Sequence, residues 1–401
     1  MNLKILKTLF REDDLMSRFN EKISRRNTSS AKWDRIEGKE KLIPFSIADS
    51  DYLTAPEIEK AIKNRAEHPI YGYTYQDEEY FESIINWTKR RYGYEIDKDN
   101  IIPGNGVVTS LYYAIKLFAK DSPGVIVQPP VYNPFYDVIL DNNKKVVINK
   151  LIKNDNYHTM DYVDLEKHLK AGNKTILLCS PQNPTGRVFK KEELLKVVEL
   201  AKKYDAYILS DEIHCDIILG DNEFISINSF YNIYDKLIVF TSIGKTFGLA
   251  GLKTSNTIIR NKEMAEEFRN FLSHNYIGSG NVFGLSALIA GYNKSDEWLL
   301  EQNKHLTNNF NILKTFFNQK HPEVGVTKTE GTFLAWLDLS YLGIPCIKMY
   351  ALLKEEGIIV AEGKKYSEDC KGYIRFNFAC SEKQLLAGLE AVSTFLNKQK
   401  I

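Results

Sequence analysis

The residue whose chemistry is most legible in this 401-residue chain is Lys245, within Thr241-Ser242-Ile243-Gly244-Lys245-Thr246-Phe247-Gly248-Leu249-Ala250-Gly251-Leu252-Lys253. A lysine framed by small residues, just after the apolar run 237–240, falls at a strand end with its amine turned to a pocket. Such an amine can form a Schiff base with an aldehyde cofactor. Most lysines are solvated surface charges, so the reading depends on partners upstream. Asp211, in Ser210-Asp211-Glu212-Ile213-His214, closes the apolar run 206–209. A carboxylate there can sit against a protonated pyridine nitrogen; alone, it reads first as a helix N-cap. Asn183, in Ser180-Pro181-Gln182-Asn183-Pro184-Thr185-Gly186, presents an amide on a proline-fixed turn. It can donate to a phenolic oxygen or a carboxylate, or merely shape the turn. The loop Gly104-Asn105-Gly106-Val107-Val108-Thr109-Ser110 leads into a helical pattern, and backbone N–H groups at a helix start attract phosphate. Tyr132, in Val131-Tyr132-Asn133-Pro134, can stack on an aromatic ring or pack in the core.

These residues need elements to bring them together. In an open parallel sheet, ligands gather at the carboxyl ends of the strands, which is where the polar residues above fall. From about residue 100 to 260, short β-branched runs alternate with longer amphipathic stretches. Strands are expected at 124–128, 146–151, 175–180, 206–211, 237–241 and 256–259, and helices at 109–119 and 191–204, the latter carrying Leu194, Val197, Val198 and Ala201 at helical spacing. The pattern predicts an α/β fold, a mostly parallel doubly wound sheet. After residue 263 long charged helical stretches run to about 317, followed by a smaller α+β unit with strands at 331–339 and 373–378 and helices at 347–355 and 381–397. No Pro/Gly-rich linker separates the units, so a continuous helix is expected to join them. The expected division is an N-terminal segment, 1–50, contributing to the small domain, a large cofactor-binding domain at 51–290, and a small domain at 291–401.

Composition narrows the function classes. With 53 basic against 52 acidic side chains the formal net charge is +1, which invites neither nucleic acid nor an anionic membrane. Residues 1–10 are apolar but interrupted by Lys4 and Lys7, without the features of a secretory leader, and no apolar run approaches the ~20 residues of a membrane span. Cys179, Cys215, Cys346, Cys370 and Cys380 form no Cys-x-x-Cys pair, so no metal site or disulfide framework is expected and a reducing, cytoplasmic setting fits.

Taken together, these motifs resemble the fold-type I family of pyridoxal-phosphate enzymes, the aspartate aminotransferase superfamily, over essentially the whole chain. The resemblance implies pyridoxal 5'-phosphate as cofactor, with Lys245 as the Schiff-base lysine, Asp211 as partner of the pyridine nitrogen and Asn183 as donor to the phenolic oxygen. His214 stands where many relatives carry a tyrosine contacting that oxygen. Ser242 and Lys253 fall at phosphate-binding positions, with Val107 and Val108 as backbone donors. Arg375, in Gly372-Tyr373-Ile374-Arg375-Phe376-Asn377-Phe378-Ala379, matches the arginine that grips a substrate α-carboxylate, a task suited to its planar fork. Tyr73, in Tyr71-Gly72-Tyr73-Thr74, matches the tyrosine that reaches the phosphate of a neighbouring subunit, which implies a homodimer.

Further words, Lys32-Trp33-Asp34, Ile47-Ala48-Asp49-Ser50-Asp51-Tyr52 and Arg375-Phe376-Asn377-Phe378-Ala379, are similar to the MalY/PatB-like branch of cystathionine β-lyases. The chain departs from that branch at Gly244 (usually serine), Gly248 (often asparagine), Ser50 (methionine) and Tyr52 (phenylalanine). The resemblance implies α,β-elimination from cystathionine or a related cysteine S-conjugate, yielding a thiol, pyruvate and ammonia. An aminotransferase would use the same Lys245, Asp211 and Arg375 and is the alternative. A cofactor-binding regulatory protein is the remoter one, since only about thirty residues precede Trp33.

Overall fold

The computed structural model describes residues 18–400 apart from 22, 37–40 and 279. Residues 1–10, weighed above as a leader, lie outside these. At the centre is a seven-stranded sheet built from β1 (Ile101–Gly104), β2 (Gly124–Val127), β3 (Lys145–Ile148), β4 (Thr175–Cys179), β5 (Tyr207–Asp211), β6 (Leu237–Ser242) and β7 (Ser255–Ile259). The spatial order is β1-β7-β6-β5-β4-β2-β3, and only β7 runs against the rest. Both faces are covered. Ile126, Ile176, Leu178, Ile208, Leu237 and Val239 point into one core, while their neighbours Val125, Val127, Leu177, Leu209, Ile238 and Phe240 point into another. Burial on both sides is why these strands are uninterrupted apolar runs rather than alternating ones.

The structure corrects the expected strand list at its margins. β1 was not anticipated because Pro103 and Gly104 occupy half of it. It pairs with β7 alone, at the sheet edge, where a residue without an N–H is tolerated. The run expected at 146–151 is regular only over Lys145–Ile148. Beyond it Asn149 N–H still reaches Val127 O and Leu151 N–H reaches Pro129 O, but Pro129 and Pro130 have no N–H to complete a ladder. A short hairpin, Ile152–Asn154 with Tyr157–Thr159, was also missed. The first expected helix begins two residues early: α1 is Val107–Phe118, and α2 is Lys191–Tyr204.

The smaller antiparallel sheet has the order β8 (Gly325–Val326), β9 (Leu334–Asp338), β11 (Tyr373–Asn377), β10 (Ala361–Glu362). The early chain joins this unit. Ile43–Pro44 pairs in parallel with Ile358–Ile359, and Phe45 stacks on Phe376 with centroids 4.2 Å apart. A one-turn helix, α3 (Ile243–Thr246), follows β6. The 25-residue α4 (Asp296–Lys320), about 37 Å long, buries Trp298 and Leu299 in the core beside the large sheet, then Leu306, Phe310, Leu313 and Phe317 in that of the small one. The last helix, α5 (Glu382–Lys398), packs on the small sheet through Leu385, Leu389 and Val392. No helix among the described residues is long and apolar enough to cross a membrane.

Candidate active site

Residues at the carboxyl ends of β1, β4, β5 and β6 converge on one cavity enclosing about 700 Å³, its open mouth included. Val107, Val108, Tyr132, Asn183, Asp211, His214, Ser242, Lys245 and Lys253 all border it. Nine residues from six separate stretches of sequence thus meet in one place. Arg375 joins them by donating from Nη1 to Asn183 Oδ1 at 3.0 Å. Tyr73 does not. It is fully exposed and outside the cavity lining of its own chain.

Lys245 is placed by α3, whose start is fixed by Ser242. The Ser242 hydroxyl accepts from Gly244 N–H at 2.9 Å and donates to Thr254 O at 2.7 Å. A side chain at Gly244 would put its Cβ 3.0 Å from that oxygen and 3.3 Å from Ala250 Cα, so the glycine keeps this turn tight. The Lys245 amine donates to Ala48 O. Burial lowers its pKa to about 8, with the opposite charges of Asp49 and Asp211 resisting. At neutral pH about a tenth of the amines are then unprotonated, against well under a thousandth at the ordinary lysine value.

Asp211 ends β5 with its carboxyl buried, accepting only from Ile213 N–H at 3.1 Å. Burial raises its pKa to about 7, opposed by that hydrogen bond and by the charge of Lys245. It therefore has acceptor capacity left and a strong electrostatic preference for a cationic partner. His214 is buried on the edge of Phe333, ring centroids 5.6 Å apart, and its Nδ1 has no partner among the described residues. Burial, then Lys245 and Arg375, depress its pKa well below the ordinary value and keep the imidazole neutral. Tyr132 is mostly buried, and burial followed by the Asp211 charge pushes its phenol up to about 12. At the other end, α1 has no side-chain cap. Its N-cap is Gly106 at φ +115°, a backbone state closed to most side chains, so the N–H groups of the first turn are open to the cavity.

Arg375 on β11 is 4% exposed and has no carboxylate partner among the described residues. Its Nη2 donates to Ser46 O, its Nε is unpaired, and the Tyr366 ring lies 5.0 Å from its guanidinium carbon. An uncompensated buried cation is costly, and a ligand carboxylate would relieve it.

Sequence reasoning missed Ala48, Tyr366 and Asn377. Ala48 acts through its backbone carbonyl, which leaves no signature in a side-chain alphabet. Two departures noted in the sequence touch each other. Gly248 has φ +70°, and a Cβ there would lie 2.7 Å from Ser50 Oγ. Tyr52, the third, spends its hydroxyl on Cys380 O at 3.2 Å.

The donor set suits pyridoxal phosphate: an amine of lowered pKa, a buried carboxyl lacking a cation, an unpaired His214 nitrogen, and an uncapped helix start beside Lys253. The comparisons agree. The profile of the aminotransferase class I and II family matches residues 40–392, and the chain belongs to that family. It is a pyridoxal-phosphate-dependent enzyme of the fold-type I class. It is 32% identical over 385 residues to cystathionine β-lyase PatB of Bacillus subtilis, covering 94% of this chain and all of that one, and 30% identical to protein MalY of Escherichia coli, covering 92% and 96%. Cystalysin from Treponema denticola, whose crystal structure contains pyridoxal 5'-phosphate, superposes with a TM-score of 0.91 at 34% identity, covering 95% of this chain and 98% of that one.

Proposed function

We propose that the enzyme is a C–S β-lyase that cleaves cystathionine or a related cysteine S-conjugate, with water, to a thiol, pyruvate and ammonia. The observation that carries this is Arg375, a buried guanidinium without a counter-ion, hydrogen-bonded through Asn183 into the cavity that holds Lys245 and Asp211. The similarity to cystathionine β-lyase PatB supports elimination in particular.

Pyridoxal phosphate bound here supplies an electron sink joined to the substrate's amino group. The chain's residues do the rest. Lys245 would carry the cofactor through its amine, and the same nitrogen would take the Cα proton of the substrate. The lowered pKa keeps a usable fraction of that amine neutral. Arg375 and the Asn183 amide hold the carboxylate, which fixes the direction of the Cα–H bond. Asp211 would hold a proton on the pyridine nitrogen, Asn183 and neutral His214 would serve the phenolic oxygen, and Tyr132 would support the ring. The start of α1 through Val107 and Val108, together with Lys253, takes the phosphate. Ser242 faces the phosphate too, with its hydroxyl proton committed to Thr254 O.

Two copies complete the site in this reading, Tyr73 of each reaching the phosphate held by the other; its full exposure suits that role. We take 51–290 as the large cofactor-binding domain and 291–401, with the 1–50 segment, as the small one. A cytoplasmic setting accords with five free cysteines. The test is a product assay on cystathionine and, separately, on amino acids plus 2-oxoglutarate. Thiol and pyruvate release from cystathionine is expected; turnover that requires the keto acid and releases no thiol would make the enzyme an aminotransferase.

A further inference from the structure

The segment 46–51 reaches the site at Ala48, which borders the cavity, and meets it as a strap with carbonyl oxygens. Ser46 O accepts from Arg375, and Ala48 O accepts from Lys245. Asn377 Nδ2 donates to Ile47 O at 2.7 Å and to Asp49 O at 2.9 Å. Arg375 and Asn377 are alternate residues of β11, so one face of one strand grips the strap twice.

Two carboxylates tie the same strap to the residues behind it: Asp49 Oδ2 accepts from Arg25 Nη2 at 2.5 Å, and Asp51 gathers more donors. Asp51 Oδ1 accepts from Arg25 Nη1 at 2.8 Å and Trp33 Nε1 at 2.9 Å, and Oδ2 from Lys32 Nζ at 2.8 Å and Gln384 Nε2 at 3.0 Å. Two of those cations continue along the strap, Lys32 Nζ to Asp49 O at 2.8 Å and Arg25 Nη1 to Ser50 O at 3.0 Å. Lys32 is buried, and against the upward push of burial it heads the partners that hold the Asp51 carboxyl below its ordinary range. Four N–H donors, two of them cationic, thus converge on the two oxygens of Asp51. It borders none of the cavity itself.

We propose that Asp51 is a positioning residue for the reaction: it sets the strap so that the Ala48 and Ser46 carbonyls aim the Lys245 amine and the Arg375 guanidinium together. A carbonyl can be aimed only by fixing its backbone, and the Lys32, Trp33 and Arg25 donors on Asp51 do that. This links two sequence words, Lys32-Trp33-Asp34 and Ile47-Ala48-Asp49-Ser50-Asp51-Tyr52, into one device. It also gives the displaced Lys245 amine a resting acceptor in Ala48 O.

The inference rests on Lys245 carrying the cofactor and Arg375 holding the carboxylate. The full-length chain is stripped of cofactor and the rate of pyridoxal-phosphate capture is followed in the visible spectrum; the reloaded enzyme then yields KM and kcat for cystathionine. Asp51→Asn is expected to slow capture and raise KM together, each roughly tenfold, the scale of a small misplacement of reacting groups. Trp33→Phe, which removes one N–H and preserves packing, should move both constants in the same direction by less, and serves if Asp51→Asn fails to fold. Unchanged constants, a fall in melting temperature alone, or movement of one constant without the other overturns the proposal. Lys245→Ala, measured alongside, reports separately on the underlying assignment: if it captures the cofactor as the parent does, the assignment fails whatever Asp51 shows.

Discussion

Among the residues, the two buried charges at the ends of the substrate path make opposite demands. Arg375 waits for an anion, and Asp211 for a cation. Arg375→Lys keeps the charge but loses the planar fork, and is expected to lower kcat/KM about 100-fold, mostly through KM, in steady-state assays. Asp211 gives a pH signature in the cofactor-free protein. Its folded pKa of about 7 lies above the unfolded value, so the folded state binds the extra proton between about pH 4 and 7. Stability from this group is therefore intact at acid pH and falls as pH rises through that window, by on the order of 4 kcal/mol once the buried carboxyl is ionised. Asp211→Asn should accordingly raise the melting temperature of stripped protein at pH 8 and change it little at pH 4.5. Loading with pyridoxal phosphate should favour the parent instead, because Asp211 then has its cation. Asp211 was legible in the sequence through residue type and its position after an apolar run, and Arg375, inside a strand, only through the family resemblance. The carbonyls of Ser46 and Ala48 were not, since backbone atoms are the same at every position.

At the scale of elements, the parallel strands announced themselves because burial on both faces demands continuous apolar runs. β1 stayed hidden behind Pro103 and Gly104, which only its edge position permits. The start of α1 was two residues off, although it matters most there, since Val107 and Val108 are its first residues. The turn after α3 shows how little slack the Lys245 loop has. Gly248 combines a left-handed backbone with a Cβ position 2.7 Å from Ser50 Oγ. Gly248→Ala is expected to cost about 2 kcal/mol in urea denaturation from the backbone state and the crowding together. Ser50→Ala in the same chain should recover part of that loss, the part due to the hydroxyl.

At the scale of the whole molecule, the proposed reading has exposed Tyr73 of one copy completing the site of another. Hybrid dimers test this directly. When Tyr73→Phe and Lys245→Ala chains, each impaired alone, are mixed and allowed to exchange, half of the dimers carry one intact site, so activity should return to about a quarter of the parent level. A site complete within one chain would show no recovery. In the sequence, strands give way to long helices after residue 263. Which early residues meet the small unit was less legible, because the Ile43–Pro44 strand has only two residues and pairs, outside the four-stranded sheet, with a segment more than three hundred positions away.

The rod α4 has a thermodynamic corollary. Its first turns are anchored among the large sheet's aromatic residues and its last turns in the small sheet's core, so neither unit can melt without dragging a shared helix from the other. Scanning calorimetry should record one endotherm, and a proline at the exposed midpoint Asn308 should move the entire peak to lower temperature rather than split it.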